Sequence, residues 1–78
     1  MQMNIVGRVS AIVANQFSLP ADELRIGAQL ESEYRMDDLD LVEITMTVED
    51  EFGIEIDDDQ MNAFKTTQQI IDCVTAKV

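Results

Sequence analysis

The chain has no histidine, no tryptophan, one cysteine, one proline, three glycines and only five basic residues among 78. Each shortage excludes something. With Cys73 alone, no intramolecular disulfide can form. Little glycine and proline beside 46% hydrophobic residues is the composition of a folded chain, not of a disordered acidic tail. Nor does any apolar run approach the roughly 20 residues that cross a bilayer. The basic polar face of a surface-lying helix is missing as well. The first thirty residues do not follow the basic, apolar, small-residue order of a secretory leader. Together with the single cysteine, this points to the cytoplasm.

Sixteen acids against five bases give a formal net charge of −11. Such a field repels phosphate backbones and anionic headgroups, so nucleic acid and membrane are not expected partners. It attracts a basic patch on another protein over about a Debye length, roughly 8–10 Å at physiological salt. It also opposes self-association, and a monomer is expected. At this length one domain, residues 1–78, buries only about 60–65% of its unfolded surface, which leaves little depth for a catalytic cleft.

The pattern of apolar residues is helical in four stretches. Ile5, Val6, Val9, Ile12, Val13 and Phe17 recur at helical spacing behind Asn4, a capping residue. Ser18, Leu19 and Pro20 end that helix. A long ordered loop to Arg35 follows, with a short helical turn expected at Ala21 to Leu24. Asp37, Asp38 and Asp40 then open a second amphipathic run that reaches Phe52 and stops at Gly53. Ile54 to Ile56 form an extended link. Asp57 to Asp59 start a short third helix, Gln60 to Phe64, and Thr66 or Thr67 caps a last helix over Gln68 to Lys77, with Ile70, Ile71 and Val74 inward. The expected fold is all-α, a four-helix bundle with one long loop. Cys73 is expected to be a small core residue.

Thirteen of the acids lie between Glu31 and Asp59, opposed there only by Arg35. A solvated face is the plain reading, and a partner-binding face is the other. The Asp57 to Asp59 triplet lacks the alternating spacing and distant Glu of a calcium loop, so it is read as a helix cap and no metal site is expected. Asp37 and Asp38 form no catalytic pair, since no histidine, metal set or oxyanion donors accompany them. The expected activity is binding, not catalysis.

The segment Met36-Asp-Asp-Leu-Asp-Leu-Val-Glu43, followed by Glu49-Asp-Glu-Phe-Gly-Ile-Glu-Ile56 and an acidic cluster, resembles the acyl carrier proteins of fatty-acid and polyketide synthesis. The likeness covers almost the whole chain. That family's signature is Asp-Ser-Leu-Asp at the start of helix two, then a Val-Glu pair, an acidic helix end, Phe and Ile. Asp37, Leu39, Asp40, Val42, Glu43, Phe52 and Ile56 match it in order and spacing. The resemblance implies an acyl carrier scaffold recognised by synthase-type enzymes and a phosphopantetheinyl transferase. It places Asp37, Leu39, Asp40, Leu41, Val42, Glu43, Met46, Glu49 and Asp50 on or near the docking face. Of the apolar members, Leu39, Val42 and Met46 also admit a core reading, which is preferred for Val42, whereas docking is preferred for Leu41 and Met46.

One position departs from the pattern. Where the family carries 4′-phosphopantetheine on serine, this sequence has Asp38. Ser32, Ser10 and Ser18 lack the surrounding motif, so the chain is expected to stay unloaded and to hold no cofactor. Asp and Ser both favour a helix start, so the exchange is expected to cost the fold little. A deliberate change, a natural loss of carriage and a charge imitating the phosphate all fit. The intact motif positions favour natural divergence. The alternative function is a non-carrier interaction or regulatory module that kept the bundle and its acidic face.

Overall fold

The computed structural model describes residues 4–78. Five α-helices occur among them: α1 (Ile5–Gln16), α2 (Leu30–Tyr34), α3 (Asp38–Phe52), α4 (Asp58–Asn62) and α5 (Thr67–Lys77), with a 3₁₀ turn at Ala21–Glu23. The all-helical bundle agrees with the expectation from sequence, but the long first loop carries one more helix than the four expected. Only Leu30 of α2 is fully buried, so the pattern of the segment gave no helical stripe to read. The helix ends at Arg35, whose φ of 57° is left-handed, and the Met36 N–H returns to the Leu30 carbonyl.

The starts of α1, α3, α4 and α5 are settled by side-chain caps. Asn4 accepts a hydrogen bond from the Gly7 N–H, while Asp37, Asp57 and Thr66 each cap through a reciprocal pair with the residue three positions on. Gly53, at φ 64°, ends α3 in the conformation that glycine adopts without a Cβ penalty.

Val9 and Val13 of α1, Leu30, Ile44 and Val48 of α3, and Ile70 and Val74 of α5 are almost wholly buried and belong to one core cluster with Phe64, Ile56 and Met36. Val6 is 51% exposed, although it falls in the helical pattern. Phe17, about three turns on at nearly the same angular position, does pack against the core. Cys73 is half-buried at the core's edge. The loop is stitched to the start of α5: Leu30 N–H donates to the Lys65 carbonyl, Gln68 N–H donates to the Ile26 carbonyl, and Gln29 and Thr66 form an antiparallel bridge. No helix is long and apolar enough to cross a membrane among the described residues.

Candidate functional site

Successive residues of α3 turn by about 100°, which sorts its side chains into two arcs. Leu41, Ile44, Thr45, Val48 and Phe52 fall on the inner arc, and they are buried or half-buried. Leu39, Val42, Glu43, Met46 and Asp50 fall on the outer one, and all are exposed. Leu39 is 66% exposed, Met46 58% and Val42 38%. Large apolar side chains so placed, one turn apart and flanked by acids, form a narrow hydrophobic strip inside a negative frame.

Two burial expectations change here. Val42, preferred as a core residue, faces solvent. Leu41, preferred as a docking residue, lies about 200° from Leu39 and packs half-buried against the core.

At the head of α3, Asp37 Oδ1 accepts from the Asp40 N–H at 2.8 Å, and Asp40 Oδ2 accepts from the Asp37 N–H at 3.2 Å. Asp37 is therefore the cap. Asp38 is the first helical residue, with its carboxylate exposed to solvent. Its tolerance rests on favourable charge at a helix N-terminus, not on capping as the sequence suggested. Beside it, a cleft of about 100 Å³ opens between α3 and α4, lined in part by Met36, Asp38, Leu41, Phe64 and Lys65.

The acids of this face are not equivalent. Asp40 Oδ1 and Glu43 Oε1 both accept from the Gln16 carboxamide of α1, at 2.9 and 2.7 Å. The Gln16 bond, followed by the one from the Asp37 backbone, holds the Asp40 carboxyl below its usual range despite some desolvation. Glu49 is half-buried, and its carboxylate accepts from the Ile56 N–H at 2.8 Å, which commits it to the α3–α4 link. Glu51 pairs with Arg8 at 2.7 Å, and the Arg8 guanidinium lies 4.6 Å from the Phe52 ring centroid. Asp37, Asp38, Asp50 and Glu43 remain on the surface. Sequence reasoning missed Gln16, because an amide on α1 carries no signal that it meets two acids of α3.

The Asp57 side chain accepts from the Gln60 N–H at 2.8 Å, so the acidic triplet begins with a cap. No group of three or more His, Cys, Asp or Glu is arranged to hold a metal ion among the described residues.

A protein-family model described as "Phosphopantetheine attachment site" matches residues 7–74. The chain is 38% identical over 77 residues to the acyl carrier protein of Thermosynechococcus vestitus, covering 99% of this chain and 95% of that relative. Its fold superposes with a TM-score of 0.79 on an acyl carrier protein structure from Enterococcus faecalis, at 24% identity over 95% of this chain and 94% of the other. With its helical order and nearly full-length identity to a curated member, the chain belongs to the acyl carrier protein family, whose members are carriers and not enzymes.

Proposed function

We propose that this single domain, residues 1–78, is an acyl carrier scaffold that presents the outer face of α3 to synthase-type enzymes and to a phosphopantetheinyl transferase, and that it carries no 4′-phosphopantetheine while residue 38 is aspartate. The observation that carries the docking half is the exposure of Leu39, Val42 and Met46 in one arc, with Asp37, Asp40, Glu43 and Asp50 around it. Glu49 contributes charge to the field, though its hydrogen bond belongs to the fold. Leu41 supports the strip from beneath. Basic patches on the partners meet the acids, and each exposed charge pair contributes only about 0–1 kcal/mol, screened by salt. Apolar contact at the strip supplies the rest.

The second half is chemical. Loading needs an alcohol oxygen that attacks the phosphorus of coenzyme A, displaces the nucleotide portion and leaves a stable phosphodiester. The Asp38 carboxylate would give a mixed anhydride, which water cleaves. Ser32, exposed on α2 between Glu31 and Glu33, lies outside the motif. The residues at this position therefore do not fit the prosthetic group, and recognition is uncoupled from carriage. The place of action is the cytoplasm.

Incubation with coenzyme A and a phosphopantetheinyl transferase, followed by intact mass measurement, tests this reading. The expected result is no mass gain for the chain as it stands and stoichiometric gain for Asp38→Ser. Gain on the parent chain overturns the uncoupling, and failure of the serine variant to load argues against a scaffold that transferases still read.

A further inference from the structure

We infer that Gln16, at the end of α1, is a positioning residue for the docking face: its carboxamide sets the directions in which Asp40 and Glu43 present their carboxylates to a basic partner. The inference rests on the docking reading above and adds to it a residue from a different helix.

The amide has two N–H hydrogens, and two carboxylates lie within reach of its nitrogen, Asp40 Oδ1 at 2.9 Å and Glu43 Oε1 at 2.7 Å. With one hydrogen to each, its donor capacity is used up. Asp40 is thereby held from two directions, since its other oxygen accepts from the Asp37 N–H at 3.2 Å. Glu43 is anchored by one oxygen, which leaves Oε2 for a partner's cation. Three features argue that this arrangement serves recognition beyond packing.

First, the two acids lie three residues apart on α3, where like charges repel and would splay outward. A donor placed between them offsets that repulsion and keeps them side by side. Second, a long exposed glutamate ordinarily loses rotamer freedom when a partner captures it. A side chain already anchored loses less, and the saving appears as affinity. Third, the donor is neutral. A lysine at residue 16 would hold the same oxygens but would cancel one charge of the field that draws a basic partner, whereas glutamine orders the acids and leaves their charge intact. A planar guanidinium fits two carboxylates presented in this way.

The test compares the parent chain with Gln16→Met, which keeps the side chain's bulk, and Gln16→Ala. Gln68→Ala serves as the control, because Gln68 also bonds a carboxylate, Asp72 at 2.9 Å, but on α5. Two quantities are read: the titration midpoint of the Asp40 carboxyl by carbon NMR, and the affinity for a phosphopantetheinyl transferase by calorimetry at two salt concentrations. Both Gln16 variants are expected to fold, to titrate Asp40 at higher pH, and to bind about three- to tenfold more weakly at either salt, as expected for one or two side chains that must be ordered anew. The control should change neither quantity. An unmoved Asp40 midpoint overturns the anchoring. A moved midpoint with parental affinity overturns the positioning role. If the parent chain does not bind the transferase, the docking reading itself fails and takes this inference with it, and that result is visible before any variant is compared.

Discussion

Glu49 and the backbone N–H of Ile56 are joined at 2.8 Å, seven residues apart, across the turn that ends α3. The Glu49 carbonyl also accepts from Gly53 and Ile54, so one residue receives three of the four backbone N–H groups at positions 53–56. Glu49→Ala would strand the N–H of buried Ile56 and should cost about 1–3 kcal/mol in urea unfolding. Glu49→Gln keeps an acceptor and should cost clearly less. Equal losses for the two variants would mean that the charge, not the acceptor, is what matters there.

Leu39 and Met46 should separate binding from folding. Both are more than half exposed, so alanine at either position should change stability by no more than about 0.5 kcal/mol. Each should nevertheless weaken transferase binding by about 1 kcal/mol or more, if the strip is the centre of the interface. A stability loss as large as the binding loss would return these side chains to the core.

The head of α3 offers a contrast between neighbours. Asp37→Ala removes the cap and should cost about 1 kcal/mol. Asp38→Ser gives up only a favourable charge at the helix terminus, about 0.3–1 kcal/mol, so its effect should be smaller. Chemical denaturation of the two variants ranks them, and the reverse order would reassign the cap.

Asp40 makes stability depend on pH in a known direction. Its carboxyl is held below the ordinary 3.8 in the fold, first by the Gln16 bond. Its contribution is therefore complete above that value and is lost as pH falls through the lowered folded value. Asp40→Asn should be less stable than the parent at neutral pH, and the gap should narrow on acidification below 3.8. A gap independent of pH would exclude the charged form as its source.

Burial pushes the Cys73 thiol above its ordinary 9.0, with Lys77 acting the other way and Asp57 adding to the rise. The neutral thiol is favoured in the fold, so this stability is full below the ordinary value and declines as pH rises through the folded one. Iodoacetamide should label Cys73 more slowly in the native chain than in urea at mildly alkaline pH. Equal rates would place the thiol in the open.

Much of this was legible in the sequence because helix caps and helical spacing are local. Asn4, Asp37, Asp57 and Gly53 mark their boundaries within a turn of the chain. The helix at Leu30–Tyr34 was not legible: its one buried residue makes no stripe, and its closing residue, Arg35, adopts a conformation more often taken by glycine. At the site, the exposure of Met46 agrees with the preferred reading, whereas for Leu39 the sequence left core and surface open and its exposed place on the outer arc decides between them. The inward turn of Leu41 follows from the helical repeat alone. The pairing of Gln16 with Asp40 and Glu43 joins residues 24 and 27 positions apart, and no local pattern encodes such a meeting.

The stitches between the first loop and α5 bear on the order of events at birth. Ile26, Gln29 and Leu30 have their backbone partners at Gln68, Thr66 and Lys65. A nascent chain that has emerged only as far as α4 has α3 but lacks the rungs that tie the loop in front of it to the start of α5. The loop gains those last rungs only when residues 65–68 are made, so a partner that tested the loop as well as α3 would favour finished chains.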